Sequence, residues 1–560
     1  MPNVYHIVGP PGTGKTTHLA KRIEATRKAR GGDSVCVVAY TKVAAAEIGG
    51  RIGDSEKKTQ RGKRGEDGWE PGEVKEKRVG TLHSLLFHLL GGKSSVKLAP
   101  PKEWNECHSE MLHISGEGVN QDDLDEPRGK TEGDKLKAVC DQLRAQMVPR
   151  THWPAHARMF DVPWRKWKEE TGYTDFTDWV EMAIARRLPP PEGCTVGIVD
   201  ESQDFSRLEI TLLRQWAEYF DSVGGATVLA FDDDQAIFSF KGVEAAALIE
   251  ELPADAPHMR VLEQSYRVPR AVHARAVRWI EQCKRRVPKT YLPRPEDGQV
   301  LSMHNATFRE PYAMVPAVQA DLKNGLDCMI LTTCAYMLQA TIKHLRLHGI
   351  PFHNPYRPAQ GAWNPLATGK TAERILQWLK RCPKYSSEGE AMLHLWTAAQ
   401  LADWTKDLGA SCFVARGKKQ ELLDLAKDKE RKSEMVQAED FLSAACLAWT
   451  DAGDFKAYEQ AILGNKRRSY EFPLALARRD IKLLTTKPRV VIGTVHSVKG
   501  AEAASVYLAP DLSLAGYDQW SRRGTPQHDD VRRVFYVGMT RARTKLTLLG
   551  AGTNLAVTGM

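Results

Sequence analysis

The stretch Gly9-Pro10-Pro11-Gly12-Thr13-Gly14-Lys15-Thr16 fits the pattern G-x-x-x-x-G-K-[ST] and decides how the chain begins to fold. A short apolar run precedes it and a helical pattern follows it to Ala29. Backbone N–H groups of such a loop, with the helix N-terminus, surround phosphate oxygens, while the lysine bridges the β- and γ-phosphates and the hydroxyl holds Mg²⁺. We therefore predict a strand, a phosphate-binding loop and a helix, with Gly9 to Thr17 binding a nucleotide.

A second apolar strand ends in paired acids, in the stretch Ile198-Val199-Asp200-Glu201-Ser202-Gln203-Asp204. A carboxylate at a strand end can reach the Mg²⁺ that Thr16 also holds, and we assign this role to Asp200. Glu201 can then polarise the attacking water. Paired acids at this place are also typical of a helix N-cap, but the phosphate-binding loop favours the metal interpretation.

The amino-acid composition is typical of a globular protein without membrane-spanning segments. The chain has 560 residues, of which 42% are apolar and 27% charged, as in ordinary globular proteins. Its apolar runs are far shorter than the roughly 20 residues of a membrane span, and the N-terminus lacks a signal peptide. We expect a cytoplasmic protein without a membrane partner, or one in the host cytoplasm if a phage encodes it. Ten scattered cysteines predict reduced thiols, and a net charge of +9 is compatible with a polyanionic partner.

The order of strand and helix patterns indicates two α/β halves, each interrupted by a mainly helical insertion. In the first half, residues 100–184 are rich in helix formers and carry Trp153, Trp164, Trp167 and Trp179. Packing of a helical subdomain is favoured for these rings over a base-stacking platform. Residues 54–78 predict a solvated loop, with a basic DNA-gripping arm as the alternative. In the second half, strands near 259–262, 299–303 and 328–332 precede a helical region at 363–475, and strands return at 489–494, 504–508 and 545–549.

These residues resemble the UvrD/Rep (PcrA-like) DNA helicases of superfamily 1A, whose D-E-x-Q-D motif is similar to residues 200–204. The other motifs follow in the family's order, from residue 4 to 550: AYTKVAA (39–45), GTLHS (80–84), DDDQAIFSFKG (232–242), LEQSYR (262–267), TVHSVKGAE (494–502) and RRVFYVGMTRAR (532–543). The resemblance implies two RecA-like P-loop domains with ATP in the cleft between them. The expected boundaries are 1–87 with 185–257 and 258–362 with 476–560 for the two RecA-like domains, and 88–184 and 363–475 for the insertions.

By resemblance, several further residues act on ATP and Mg²⁺. Gln235 senses the γ-phosphate or its water, and Arg267 and Arg541 are arginine fingers that stabilise charge on the transferring phosphoryl group. Tyr266 stacks on adenine and Glu502 contacts the ribose. With Lys15, Asp200 and Glu201, these residues complete the expected catalytic and nucleotide-binding set.

The resemblance also implies a path for single-stranded DNA, in which bases stack on flat rings that release and regrip them. The aromatic positions are Tyr40, Phe238 and Phe240, each with core packing as its alternative. Lys241 replaces the usual arginine and keeps the charge without the planar fork. The remaining expected DNA-binding residues lie along the backbone: Thr41, Thr81, His83, Thr494 and His496.

Three departures from the family are expected to matter. The chain starts at the first strand, so the helix with the adenine-reading glutamine is expected to be missing and base selectivity to be relaxed. The second insertion, of about 110 residues, is shorter than usual, which puts its duplex-contacting role in doubt. Almost nothing follows the last motif, so no fused nuclease domain is expected.

We predict a monomeric, ATP- and Mg²⁺-dependent helicase that moves 3′ to 5′ on single-stranded DNA and unwinds duplexes at single-strand/duplex junctions in replication, repair or recombination. The direction comes from the family. One alternative is a translocase that strips proteins from DNA or needs a protein loader or activator to unwind. An RNA motor and an inactive nucleic-acid-binding scaffold are the others.

Overall fold

The structure is a computed structural model and describes residues 3–40, 48–49, 64–65, 68–69, 78–116, 131–239, 242–243, 258–385 and 395–560. Most of the predicted solvated segment 54–78 lies outside these ranges, as do Thr41, Phe240 and Lys241. The chain divides into two compact units. Unit one comprises Met1–His304, Leu331–Ala335 and Thr494–Met560, and unit two comprises Asn305–Ile330 and Tyr336–Gly493.

The strands in the described ranges are, in chain order, β1 (Val4–Val8), β2 (Val35–Ala39), β3 (Arg64–Gly65), β4 (Gly68–Trp69), β5 (Val79–Thr81), β6 (Lys97–Leu98), β7 (Tyr173–Thr174), β8 (Val196–Asp200), β9 (Ala226–Phe231), β10 (Met259–Val261), β11 (Gln264–Pro269), β12 (Leu292–Arg294), β13 (Gln299–Met303), β14 (Cys328–Thr332), β15 (Phe352–His353), β16 (Leu395–Thr397), β17 (Met435–Gln437), β18 (Val490–Thr494), β19 (Ala503–Leu508) and β20 (Ala542–Leu549).

The α-helices in the same ranges are α1 (Lys15–Arg30), α2 (Leu82–Leu89), α3 (Pro101–Cys107), α4 (Glu132–Ala145), α5 (Ala155–Thr171), α6 (Phe176–Ala185), α7 (Arg207–Ser222), α8 (Arg270–Ile280), α9 (Met314–Lys323), α10 (Gln339–Leu347), α11 (Thr371–Lys380), α12 (Ala398–Thr405), α13 (Lys418–Lys427), α14 (Ala444–Ala452), α15 (Phe455–Ala461), α16 (Arg467–Arg479), α17 (Leu514–Ser521) and α18 (Pro526–Met539). Among these described helices, none combines the length and the apolar character that a membrane span requires.

Unit one is built on a six-stranded parallel sheet with the order β10-β1-β9-β8-β2-β5. Its central strands are continuous runs of β-branched and other apolar residues, as expected for strands buried on both faces. Ile7 pairs with Ala230 and Val37 with Ile198. Because the strands are parallel, β1, β8 and β9 end at the same edge, where the phosphate-binding loop, Asp200 and Asp232 follow.

A second parallel group in unit one joins β13, β20 and β19 in that order, with Gln299 paired to Lys545 and Val506 to Leu546. Helix α18 packs against α8 and contacts β19 and β20. The two parallel groups, each flanked by helices, confirm the predicted α/β class with two RecA-like parts.

The strand β10 belongs to the first sheet, since His6 of β1 pairs with Met259. We had expected the strand near 259–262 to open the second α/β half, so the first sheet extends past residue 257. The strands of both sheets are parallel and apolar, so the pattern of apolar residues does not reveal which sheet a given strand joins. The four domain boundaries otherwise stay a prediction.

The tryptophans of residues 100–184 are all buried, but they belong to two different clusters. Trp153, Trp164 and Trp167 join Trp104 and Phe160 in one buried cluster. The indole N–H of Trp153 donates to the Val148 carbonyl and that of Trp164 to Asp175. Trp179 is buried in a separate cluster beneath the first sheet. The packing interpretation is therefore confirmed, because other side chains cover each ring. Trp179, however, packs against the first sheet and not within the helical insertion.

Unit two contains the helices α9 to α16, the parallel pair β15 and β18, and the antiparallel hairpin β16–β17. The predicted mainly helical character is confirmed for the described residues 363–385 and 395–475. Its core includes Trp378, Trp404 and Tyr458, all below 2% exposure. A buried Arg374 pairs with Asp407 at 2.6 Å, which anchors α11 to the segment after α12.

Gly225 precedes β9, the strand that carries Asp232 at its end. A Cβ at this position would lie 1.7 Å from the Thr195 backbone oxygen, which cannot move as a side chain would. We expect Gly225→Ala to lower the free energy of unfolding by about 1–3 kcal/mol, the usual cost of overpacking. Urea denaturation followed by circular dichroism measures this change.

Gly32→Ala is the matched control, because a Cβ at Gly32 meets nothing within 4 Å. Equal stability of the Gly225 variant and the control would contradict the steric account of this turn.

Candidate functional site

The phosphate-binding loop has the backbone conformation that its glycines permit. Gly12 and Gly14 have φ values of 74° and 79°, and Gly14 is the N-cap of α1. A Cβ on Gly9 would lie 2.1 Å from Lys15 Cγ, so the lysine stem passes directly over this position. The Thr13 hydroxyl donates to the Pro10 carbonyl at 2.9 Å. The loop is thus closed by its own contacts and presents the N-terminus of α1, a general anion-binding element.

Lys15 is buried at 8% exposure, and its Nζ lies 3.2 Å from Glu201 Oε1. Burial acts to lower the pKa of Lys15, but the carboxylates of Glu201, Asp200 and Asp232 raise it above its ordinary value. Apart from this ion pair with Glu201, the Nζ makes no hydrogen bond of good geometry within the described residues. A charged, buried ammonium with unused donors fits a phosphate ligand.

The predicted acidic pair lies at the end of β8. Asp200 is 1% exposed, and its Oδ1 accepts from the Glu201 backbone N–H at 2.9 Å. Glu201 has φ of 54°, an uncommon left-handed conformation for a residue with a side chain. It stands at the N-cap of the short 3₁₀ turn Ser202–Asp204, but its side chain makes no capping hydrogen bond there. The N-cap interpretation of these acids is not supported by this geometry.

The carboxylate of Glu201 is held in its charged form. Burial acts to raise its pKa, but Lys15 and Lys499 outweigh burial and lower the pKa to about 2. Gln203 also donates to Glu201 Oε2. Asp204 behaves in the opposite way, because burial raises its pKa to about 6 although Lys499 contacts both of its oxygens at 2.5 Å.

Gln235 links Asp232 to Arg541. Its Nε2 donates to Asp232 Oδ2 at 2.7 Å, and its Oε1 accepts from Arg541 Nη2 at 2.9 Å. Arg541 is 1% exposed and donates to the Val537 and Ala501 carbonyls as well. Burial and the neighbouring Arg267 lower the pKa of Arg541 to about 9. The guanidinium is therefore fixed beside Gln235 without a carboxylate at hydrogen-bond distance in the described structure.

The strand β11 runs against the phosphate-binding loop. The Tyr266 N–H donates to the Gly12 carbonyl at 2.8 Å, and the Ser265 hydroxyl donates to the Pro11 carbonyl at 2.9 Å. Arg267 Nε donates to Glu502 Oε2 at 2.5 Å, while the Tyr266 side chain is 73% exposed. The expected ATP-binding residues of both halves thus meet around one loop.

Three polar residues of this region were missed by sequence reasoning. Lys289 Nζ forms ion pairs with Asp232, Asp233 and Asp234, although its side chain is only 1% exposed. The three aspartates are close enough to ligate a metal, but this ammonium already lies among them. Tyr291 donates to the Pro11 carbonyl at 2.9 Å, and Lys499 donates to the Gln235 carbonyl at 2.6 Å. Lys289 and Tyr291 lie outside every motif quoted above, whereas Lys499 lies inside the 494–502 motif, and that position was the signal for it.

Some of the expected DNA-binding residues form one cluster. Tyr40 and Phe238 are stacked with ring centroids 5.4 Å apart. Phe238 is 6% exposed, and Lys499 Nζ lies 5.0 Å from its ring centre. His496 is buried, with its Nε2 3.0 Å from the Ile237 carbonyl oxygen. The fully buried Thr494 accepts from the Ser497 N–H and so holds the turn that carries His496.

Two other expected DNA-binding residues begin the helix α2. Thr81 caps this helix by accepting from the Ser84 N–H at 3.3 Å. His83 is 35% exposed, with Nδ1 4.0 Å from Glu209 and its ring 5.6 Å from Phe176. Phe176 is itself 53% exposed, so an open aromatic edge accompanies this histidine.

Comparison with known proteins agrees with this geometry. Residues 1–241 match the family model of an AAA domain, and residues 420–551 match that of the UvrD-like helicase C-terminal domain. The chain belongs to the UvrD-like helicases. Two relatives are proteins named DNA helicase II, from Escherichia coli (strain K12) and Salmonella typhimurium. Each is 23% identical to this UvrD-like helicase, and the alignments cover 98% of this chain and 82% of the relative.

The substitution Arg541→Lys tests the hydrogen bond between Arg541 and Gln235. A lysine has a single ammonium and cannot make the three directed hydrogen bonds of this guanidinium. We expect kcat for ATP hydrolysis to fall by about 10³-fold, the lower end of the range for arginine fingers, with little change in the KM for ATP. Steady-state ATPase kinetics separates the two constants.

Arg543→Lys serves as the matched control, because Arg543 is 40% exposed and lies 3.8 Å from Glu502. An exposed ion pair contributes at most about 1 kcal/mol, so the control rate should change by less than about fivefold. A similar kcat loss in both variants would argue against a specific role for Arg541.

Proposed function

We infer that this UvrD-like helicase is an ATP-dependent DNA helicase that moves along single-stranded DNA and unwinds duplex DNA in replication or repair. The observation that carries this inference is a continuous chain of contacts from the Lys15–Glu201 ion pair to the Gln235–Arg541 hydrogen bond. Gln203 and Asp232 are the links between them, since Gln203 donates to Glu201 and accepts from the Asp232 N–H, and Asp232 accepts from Gln235. These residues lie at the carboxyl edge of the first sheet and at the end of α18. The relatives named DNA helicase II support DNA as the substrate.

In the proposed hydrolysis step, Lys15 exchanges its ion pair with Glu201 for the β- and γ-phosphates of ATP. Thr16 and Asp200 would hold Mg²⁺, which neutralises charge on the phosphates. Glu201, released from Lys15, loses the cation that contributes most to its low pKa, and the carboxylate becomes a better acceptor for the proton of the attacking water. The loop from Gly9 to Thr17 surrounds the phosphates.

Charge that develops on the transferring phosphoryl group is stabilised by Arg541 and Arg267, with Gln235 orienting the water. Arg267 is now paired with Glu502, so its approach to a phosphate and the contact of Glu502 with ribose both require this pair to separate. Tyr266 offers an exposed ring for adenine. Because ring stacking does not read the edge of a base, selection of adenine over other bases would be weak.

For DNA, we propose that bases stack on Tyr40 and Phe238 after the two rings part, with Lys499 nearby as a cation. His496 and Thr494 form the adjacent turn, and Thr81 and His83 line a second part of the path. The expected contacts of Thr41, Phe240 and Lys241 belong to the same proposal. We further propose that the protein moves from 3′ to 5′, acts as a monomer and unwinds at junctions of single-stranded and duplex DNA.

The ATPase test compares hydrolysis with and without single-stranded DNA. We expect DNA to stimulate the rate many-fold, and Lys15→Ala or Glu201→Gln to abolish it. Glu218→Gln is the matched control, because Glu218 is an exposed residue of α7. An ATPase rate that single-stranded DNA leaves unchanged would contradict the motor function.

Polarity and unwinding are measured together on duplexes with a 3′ or a 5′ single-stranded tail. We expect ATP-dependent strand displacement on the 3′-tailed substrate. DNA-stimulated ATPase without displacement would indicate a translocase that needs a partner, and stimulation by RNA alone would indicate an RNA motor.

A further inference from the structure

A polar cavity of about 300 Å³ lies in unit one at the N-terminal end of α18. Trp520, Arg523 and His528 line one side, and Lys284, which follows α8, lines another. Arg532 also lines it and precedes Arg541 by nine positions, so the cavity lies at the other end of α18 from the hydrolysis site. None of the residues assigned to ATP or DNA is among its lining residues.

Arg532 is buried in the wall of this cavity at 9% exposure. Its Nε donates to His528 Nε2 at 3.2 Å, and its guanidinium carbon lies 4.7 Å from the Trp279 ring and 5.0 Å from the Trp520 ring. Within the described ranges it has no ion-pair partner, and its Nη1 has no hydrogen bond. Burial lowers the pKa of Arg532. Asp529 acts on the pKa in the opposite direction but makes no ion pair with this guanidinium. A buried guanidinium without a directly paired carboxylate is costly, and a bound anion would remove part of this cost.

Two more cations reach the same space. Lys284 and Arg523 are exposed, and neither has an ion-pair partner in the part of the chain that the structure describes. A Cβ on Gly524, whose φ is 82°, would lie 2.7 Å from Lys284 Nζ, so the glycine lets the ammonium approach the backbone. Among the described lining residues, Asp529 supplies the single carboxylate, and it accepts from the Lys284 backbone N–H at 2.9 Å. The cavity therefore carries an excess of positive charge.

We propose that this cavity binds a small phosphorylated ligand with at least two negative charges, of the pyrophosphate or phosphate-ester class. Converging guanidinium and ammonium donors are the groups that recognise phosphate oxygens. The volume is at the lower end for small-molecule sites and exceeds the space that one phosphate group needs. This site is additional to the proposed helicase function and independent of it. A phosphodiester of bound DNA is the other source of the same chemistry, and the experiment separates the two.

The test measures pyrophosphate binding by isothermal titration calorimetry, without Mg²⁺, to the full chain carrying Lys15→Ala. This background weakens the phosphate-binding loop, so that heat from the cavity can be recognised. We expect saturable binding at one site. Adding Lys284→Gln and Arg523→Gln should weaken this binding at least tenfold. Both side chains are exposed, and unchanged circular dichroism would establish that the variant is folded.

The matched control adds Lys102→Gln and Arg522→Gln, which remove the same charge at exposed positions outside the cavity. The proposal stands if the control binds pyrophosphate like the background while the cavity variant does not. Absence of binding in the Lys15→Ala background, or equal loss in both double variants, overturns it. If the cavity variant loses affinity for an oligothymidylate but not for pyrophosphate, the DNA backbone is the ligand and the small-ligand proposal is wrong. None of these binding measurements depends on ATP hydrolysis or on unwinding, so failure of this proposal can be distinguished from failure of the proposed helicase function.

Discussion

The candidate hydrolysis site depends on the two hydrogen bonds of the Gln235 side-chain amide. One amide donates to Asp232 and accepts from Arg541, so the end of β9 and the end of α18 are held by its two ends. All three groups are buried, and breaking either hydrogen bond leaves a polar atom unpaired at a cost of about 1–3 kcal/mol. Lys289 binds Asp232 from the other side and fixes the acceptor. Under the proposed function, Asp232, Gln235 and Arg541 are therefore already linked before a nucleotide binds, whereas Arg267 must still separate from Glu502.

Two ion pairs lie near this amide, Lys15 with Glu201 and Lys499 with Asp204, and the pKa of the carboxylate shifts in opposite directions in the two pairs. Lys15 keeps Glu201 ionised with a pKa of about 2, whereas burial raises the pKa of Asp204 to about 6 beside Lys499. Replacing a buried partner is costly unless another charge takes its place. A polyphosphate offers Lys15 such a replacement, so under the proposed function binding of the nucleotide and activation of Glu201 are the same exchange of partners.

Much of this arrangement could be predicted from the sequence, because a loop of fixed spacing after a buried strand has few structural solutions. Lys15, Asp200 and Glu201 were located in this way, and burial of the tryptophans followed from the abundance of helix formers in residues 100–184. Lys289 was not, since a lone lysine is usually a solvated charge and only the fold shows that its ammonium is buried among three aspartates. Lys499 lies inside the 494–502 motif, but only the fold shows its contact with Asp204. The membership of β10 in the first sheet was missed for a related reason: apolar runs reveal burial, but not which parallel strand is the neighbour.

Lys499 also connects the two parts of the candidate site. The same ammonium donates to the Gln235 carbonyl, contacts Asp204 and lies 5.0 Å from the Phe238 ring. A base that stacks on Phe238 would change the surroundings of this cation, and a shift of the cation would change the electrostatic field at Glu201, whose pKa it helps to lower. Under the proposed function, this is a direct route by which occupancy of the DNA path reaches the residues that act on ATP. Because one side chain contacts both the Phe238 ring and the Gln235 carbonyl, this coupling can begin without the movement of a whole domain.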